Sequence, residues 1–179
     1  MKIGLLRHAK VIHRESFFSN GKIYDESRIR YNISPVELIK LKIKTEDFPL
    51  CYVSSQYRAV ETAKMIYNGK FIITDELIEV PSAAVFLINV NLPSYFRSII
   101  GRIAWFINLK KMPETRKEST ERASRFINFI LQEKQQNILL ITHGFFMYSL
   151  KKELKKQGFK GHLPLFPANG FLYLFEKKK

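Results

Sequence analysis

Arg7 and His8 follow a short apolar run, Ile3-Gly4-Leu5-Leu6. The run reads as a buried strand, so a cation and an imidazole fall at a strand's C-terminal end. In open α/β sheets, ligands bind in the crevice outside those ends. The same pairing of signals recurs late in the chain. Asn137-Ile138-Leu139-Leu140-Ile141-Thr142 reads as another buried strand, and His143-Gly144 sits at its end. Arg58 adds a second cation. It lies in the first turn of the helix predicted after Ser54-Ser55, where a positive charge opposes the helix macrodipole. An anion held between the guanidinium and the helix start resolves that conflict. Arg also grips phosphate oxygens in a bidentate fashion that Lys cannot match. Taken alone, Arg58 reads equally well as a solvated surface residue. Taken together, these residues could recognise a phosphoryl group.

The elements that must position them are legible in outline. After Arg7-His8, residues 13–31 are polar, aromatic and irregular, and read as an active-site loop. Ser34-Pro35-Val36-Glu37 reads as a helix start: Ser caps, Pro takes the first helical position, and Glu sits three residues after the cap. Leu50-Cys51-Tyr52-Val53 reads as a second buried strand ending at Ser54-Ser55. Ala59, Val60, Ala63, Ile66 and Tyr67 then recur at helical spacing, and Asn68-Gly69 closes that helix. Phe71-Ile72-Ile73-Thr74 is a third strand. Residues 94–111 read as helical, as do residues 120–133 with Ala123, Phe126, Ile127, Ile130 and Leu131 inward. Strand 137–142 precedes a helix from Phe145 to Lys156, Gly158 and Gly161 punctuate a turn region, and Phe171 to Phe175 is a last strand. Strands alternating with helices predict an α/β domain with a mostly parallel sheet. There is no internal repeat. The Lys177–Lys179 tail reads as solvated.

At 179 residues the chain has the length of one domain with a real core. Its hydrophobic content of 46% and its 15 Phe exclude a disordered chain. The formal net charge of +14 favours anionic partners without choosing among phosphates, nucleic acid and anionic membrane. The one cysteine, Cys51, lies in an apolar stretch and reads as a buried structural thiol. Only a short run precedes Arg7, too little for a signal-peptide core, so a cytoplasmic location is the default expectation. The most apolar long stretch, residues 85–109, is broken by Pro93, Arg97 and Arg102, which argues against a spanning helix and stable membrane insertion. His13 and His162 stand alone and read as surface or structural residues. No metal-spaced cluster occurs.

Three motifs resemble a known family. They are Leu5-Leu6-Arg7-His8-Ala9-Lys10, then Ser54-Ser55-Gln56-Tyr57-Arg58-Ala59-Val60-Glu61-Thr62-Ala63, then Ile141-Thr142-His143-Gly144. In this order, each at a strand end, they resemble the histidine phosphatase superfamily, the phosphoglycerate-mutase-like group named for its Arg-His-Gly motif. The resemblance runs from Lys2 to about Phe175. It implies a three-layer α/β sandwich with a mostly parallel central sheet flanked by helices. It implies a single domain over residues 1–179, with residues 80–117 as a lid or insertion.

The resemblance also implies roles. His8 matches the nucleophile that becomes a phosphohistidine. Arg7, Arg58 and His143 match the pocket for the phosphoryl group, and His143 belongs with His8 to the catalytic group. The family's proton donor is an acid after the third strand in a Leu-x-Glu setting. Leu77-Ile78-Glu79 matches, so Glu79 is the expected acid, with Glu76 in reserve.

The chemistry is coherent on its own. A phosphomonoester carries about −1.5 to −2 charge. Two arginines and a histidine donor can neutralise it and stabilise the spread of charge in the transition state. Nearby cations favour a neutral imidazole, the nucleophilic form. The leaving oxygen takes its proton from a carboxylic acid, and water then replaces it. This needs no metal and no cofactor.

Several positions depart from the family pattern. Ala9 stands where Gly is common. Lys10-Val11-Ile12-His13 replaces the usual Glu-Thr and nearby Asn. Val80-Pro81-Ser82-Ala83-Ala84 replaces the Gly-containing motif after the acid. These changes argue against a phosphoglycerate mutase. Glu118-Ser119 resembles a family pair, but helix capping is its simpler role. Residues 94–111 read as a helix packed on the core. The other readings are a lid over an apolar substrate pocket, or a membrane-surface patch using Arg97, Arg102, Lys110 and Lys111.

The expected activity is that of a phosphatase on a small phosphomonoester, or on a phosphohistidine of a partner protein. The alternative is a non-catalytic phospho-ligand or nucleic-acid binder of the same fold. No aromatic–basic recognition motif stands out for specific nucleic-acid binding.

Overall fold

The computed structural model describes residues 1–44, 46–81, 90–133 and 137–178. The chain opens with β1 (Lys2–Arg7), a short β2 (Phe18–Ser19) and α1 (Gly21–Ile33). Next come β3 (Leu50–Ser54), α2 (Tyr57–Ile66), β4 (Ile72–Thr74) and a single 3₁₀ turn over Asp75–Leu77. A second short strand, β5 (Leu92–Pro93), leads into α3 (Ser94–Phe106) and then α4 (Arg116–Ile130). The last elements are β6 (Ile138–Thr142), α5 (Phe146–Lys156), β7 (Lys160–Gly161) and β8 (Leu172–Glu176).

The main sheet has the order β4-β3-β6-β1-β8-β7. β1, β3, β4 and β6 run parallel, whereas β8 is antiparallel to β1 and β7 to β8. β6 lies in the middle and all five of its residues are buried. That explains why its sequence is a continuous apolar run rather than an alternation. One face carries Phe126, Ile127, Ile130, Phe146 and Leu150 from α4 and α5. The other carries Ala59, Ala63 and Ile66 from α2, with Ile43 and Phe48 from the segment before β3. The result is the α/β fold with a mostly parallel central sheet that the sequence predicts.

Two local expectations give way. Residues 21–33 form a helix rather than a loop, capped by Asn20, whose side chain accepts from Ile23 N at 2.9 Å. The buried face of α1 is Gly21, Tyr24 and Ser27, while Ile23, Ile29 and Ile33 are exposed. Apolar spacing therefore could not reveal it. Ser34 ends this helix instead of starting the next, and its hydroxyl donates to Arg30 O at 2.7 Å. Residues 35–37 instead bond to the chain after His8. Ile12 N donates to Pro35 O at 2.8 Å and Glu37 N to Lys10 O at 2.7 Å. A tertiary pairing has overridden a local capping signal.

α4 starts at Arg116, four residues before the expected point. Thr115 and Glu118 form its capping box, which bears out the capping reading of Glu118. Of the expected lid, residues 82–89 lie outside the described residues, and so does Lys179 in the tail. Arg97 drops out of the cations named for the membrane-surface reading, whose apolar residues Tyr95, Phe96, Ile99 and Ile103 are exposed. Arg97 is buried, and its Nε donates to Ser19 O at 2.9 Å. Cys51 is buried, which pushes its thiol up to about 12 and leaves it unreactive. Among the described residues no helix is long and apolar enough to cross a membrane.

Gly4 marks the tightest point of β1. A Cβ there would lie 2.9 Å from Leu172 Cδ1 and 3.0 Å from Phe48 Cε1. Gly4→Ala is expected to destabilise the fold by about 1–3 kcal/mol through overpacking. Urea unfolding would measure it, and an unchanged midpoint would refute the tight packing.

Candidate active site

The site begins with strand register. β1 and β6 pair so that Arg7 lies opposite Thr142. The next residue on each strand is a histidine, and His8 N donates to Thr142 O at 3.0 Å. The two imidazoles are thus neighbours, with ring centroids 4.9 Å apart. β3 pairs with the other edge of β6, which brings Ser54 to His143. α2 then starts at Tyr57 and delivers Arg58 to the same place. Arg7, His8, Arg58 and His143 are thereby brought together, all at the C-terminal ends of parallel strands.

Hydrogen bonds assign the ring protons. His8 Nδ1 lies 2.6 Å from Ala9 O. A carbonyl can only accept, so Nδ1 carries the hydrogen and Nε2 keeps its lone pair. Arg58 Nε donates to His143 Nδ1 at 3.2 Å, so on this ring Nε2 carries the hydrogen, 2.8 Å from Ser54 Oγ. His8 is therefore the imidazole with an uncommitted nitrogen. Its pKa falls to about 3, chiefly through burial, then through the charges of Arg58 and Arg7. Burial likewise pushes His143 well below the ordinary histidine value, helped by His8 and Arg58.

The arginines rest on neutral partners, Arg58 buried and Arg7 half-buried. Arg58 is 4% exposed. Beyond His143 it donates to Asn32 Oδ1 at 3.0 Å and Gln56 Oε1 at 2.6 Å, and its guanidinium lies 5.2 Å from the Tyr31 ring centroid. Arg7 Nη1 donates to Pro167 O at 2.7 Å, while its Nε is buried without a hydrogen-bond partner. Among the described residues no carboxylate forms an ion pair with either. Two guanidiniums, one buried and one half-buried, with no ion-paired carboxylate make an anion site. Gly144 is part of it: a Cβ there would lie 3.0 Å from Arg7 Nε. A side chain there would push the Arg7 guanidinium aside.

Glu79 and Glu76 part company. Glu79 lines a cavity of about 630 Å³ together with Arg7 and Gly144. Its carboxylate accepts from the backbone N–H of Phe146 (3.0 Å) and Phe145 (3.2 Å) at the start of α5, and from that of the next residue, Val80 (2.9 Å). Glu76 faces another cavity, with Arg125, Phe126 and Phe129. The larger cavity opens beside His8 rather than onto it, and Arg7 belongs to both, since it lines the one and its charge acts on the other.

Several supporting residues carried little or no sequence signal. Thr62 Oγ1 accepts from Ala9 N at 2.8 Å and donates to Arg58 O at 2.6 Å, tying the two motifs together. Asn169 Nδ2 donates to His8 O at 2.9 Å, and Gly170 N, at a positive φ of 67°, donates to Arg7 O at 2.9 Å. Arg122 donates to the carbonyls of Glu76 (2.8 Å) and Ile78 (3.1 Å), bracing the segment that carries Glu79. Thr62 stands inside a recognisable motif. Asn32, Asn169 and Arg122 are lone polar residues whose partners are distant in sequence. His13 bonds Ser27 Oγ at 3.0 Å and packs edge-on against Tyr31. Among the described residues no group of three or more His, Cys, Asp or Glu could hold a metal ion.

Comparison with known proteins agrees with this fold. The family model of the histidine phosphatase superfamily (branch 1) matches residues 35–176. The match takes in Arg58, Glu79 and His143 and begins after Arg7-His8. A phosphoglycerate mutase from Bacillus anthracis str. Sterne superposes with a TM-score of 0.59 at 18% identity, covering 98% of this chain and 88% of that one. A mycobacterial glucosyl-3-phosphoglycerate phosphatase gives 0.57 at 14% identity, over 97% and 88%. A phosphoserine phosphatase mutant from Entamoeba histolytica, bound to phosphoserine, gives 0.55 at 13% identity, over 97% and 89%. At such identities these likenesses speak to the fold alone. No match was found among curated proteins.

The buried imidazoles tie stability to pH. Unfolded histidines titrate near 6.5, whereas the folded His8 titrates near 3. Between about pH 6 and 4 the unfolded chain binds those protons and the folded chain does not. The folded state therefore loses about 1.4 kcal/mol per pH unit for each such histidine as pH falls. Thermal melts at pH 7 and pH 5 should show a smaller loss for His8→Gln than for the natural chain. Equal losses would contradict the neutral, buried His8.

Proposed function

Because this chain belongs to the histidine phosphatase superfamily, we propose that it is a phosphatase acting on a small phosphomonoester through a phosphohistidine at His8. The observation that carries this reading is the free Nε2 of His8, beside one buried and one half-buried guanidinium that form no ion pair among the described residues. In the first step Nε2 attacks phosphorus and the bond from phosphorus to the ester oxygen breaks. Arg7 and Arg58 take the phosphoryl oxygens, exchanging neutral acceptors for an anion. His143 accepts from Arg58 Nε through its Nδ1 and so orients the guanidinium that holds the phosphoryl group. Glu79, at the cavity beside Arg7, gives the leaving oxygen its proton. In the second step Glu79 takes a proton from water, which attacks the phosphohistidine and releases inorganic phosphate with the His8 Nε2 lone pair restored.

The Nδ1 bond to Ala9 O has a chemical purpose here. It holds the ring in one tautomer and one orientation, and it spreads the positive charge that forms on the imidazole when Nε2 becomes phosphorylated.

Rapid quench with labelled substrate should trap an acid-labile, base-stable phosphoenzyme. His8→Ala should abolish both that species and turnover. A phosphoenzyme that survives the substitution would place the nucleophile elsewhere. Binding of phosphate with no turnover of any ester would favour a non-catalytic phospho-ligand binder.

Glu79→Gln separates chemistry from architecture. A general acid is worth about 10²–10⁴-fold, and it matters most when the leaving group is an alkoxide. The variant should lose activity of that order on alkyl phosphates and far less on p-nitrophenyl phosphate. The amide also faces the Phe145 N–H with a donor, so a lower melting temperature is expected as well. Equal losses on both esters would assign Glu79 to positioning the start of α5.

A further inference from the structure

The cavity beside Arg7 is larger than a phosphoryl group requires. At about 630 Å³ it matches the range of about 300–1,000 Å³ that encloses drug-sized ligands. Its walls are aromatic: Trp105 and Phe106 come from α3, Phe145 and Tyr148 from the start of α5, and Phe166 from the loop before β8. A short ester such as a glycerol phosphate would leave most of these walls facing water.

The same cavity holds cations beyond Arg7. Arg102, Arg116 and Lys152 all line it. Two of them stack on its aromatic walls, Arg102 at 3.9 Å from the Phe145 ring centroid and Arg116 at 4.3 Å from that of Phe106. Stacking orders a guanidinium while leaving its N–H edges free to donate. Among the described residues none of the three forms an ion pair with a carboxylate. The acid in the cavity, Glu79, is engaged with three backbone N–H groups. Like charges gathered in one concave space repel, and an anionic ligand group relieves that cost.

We propose that the substrate is a phosphomonoester with a flat apolar body and a second anionic group, the body lying against the exposed rings of Phe106 and Phe166 and the second anion on Arg116 and Lys152. This rests on the phosphatase reading for the position of the ester, with its phosphoryl group on Arg7. It goes further in assigning specificity to α3, the start of α4 and the outer face of α5.

Binding of non-hydrolysable phosphonates to the natural chain tests this without turnover. Three ligands form a ladder: propylphosphonate, biphenyl-4-ylmethylphosphonate, and the latter with a 4′-sulfonate. Calorimetry should rank them in rising affinity, with the sulfonate adding about tenfold, the worth of one charge-assisted contact. Trp105 is the chain's one tryptophan, so its emission should respond to both biphenyl ligands. Arg116→Gln and Lys152→Gln together should remove most of the sulfonate's advantage. Equal affinity for the two biphenyl ligands would overturn the second-anion site. A sulfonate advantage that survives the double substitution would do the same. Affinity no better than for propylphosphonate would overturn the apolar body. A chain that binds the ladder as ranked but hydrolyses none of the matching phosphate esters would fail as a phosphatase while keeping this site.

Discussion

Everything at the site depends on the parallel pairing of β1 with β6. With Arg7 opposite Thr142, the two strands end together and each is followed by histidine. A slip of one residue would exchange the two faces of β1, taking Ile3 and Leu5 out of the layer that holds α4 and α5 and turning a side chain into the place where Gly4 leaves room for Leu172 and Phe48. The core therefore sets the register, and the register sets the distance between His8 and His143. The chemistry is positioned by residues that take no part in it.

A second constraint acts against stability. Two guanidiniums and two imidazoles lie together, with Arg58, His8 and His143 desolvated, and each raises the cost of charging the others. The fold answers with neutral acceptors. Asn32, Gln56, His143 and the Pro167 carbonyl take the arginine donors, and both histidines stay uncharged. Such acceptors satisfy hydrogen bonds without cancelling charge, so the positive potential remains available to a ligand. A carboxylate in their place would stabilise the empty site and compete with phosphate.

The loops that complete the site are held to the strand ends by backbone groups. Thr62 reaches back to Ala9, while Asn169 and Gly170 close over the carbonyls of Arg7 and His8. Arg122 combines a bidentate ion pair to Glu114, at 3.0 Å for both bonds, with donation to the two carbonyls that flank Leu77. This arginine lies 3.7 Å from the Phe146 ring centroid, so it joins α4, α5 and the segment bearing Glu79. Its charge is spent on architecture, in contrast to that of Arg7 and Arg58.

The sequence by itself determined the alternation of strands and helices and the four residues at the strand ends. Buried parallel strands are continuous apolar runs, and a charged residue at the end of such a run is conspicuous. It could not determine α1, because that helix buries Gly21, Tyr24 and Ser27 and exposes its isoleucines. Ser34-Pro35-Val36-Glu37 carried a sound local capping signal, yet pairing with Lys10 and Ile12 outweighed it. Tertiary structure alone decided which histidine keeps a free nitrogen, since that rests on Ala9 O for one ring and on Ser54 and Arg58 for the other. It alone separated Glu79 from Glu76, three residues apart but facing different cavities. Residue types are local and readable. The partner of a buried polar atom is set by packing between segments far apart in the chain, and no spacing within one segment records it.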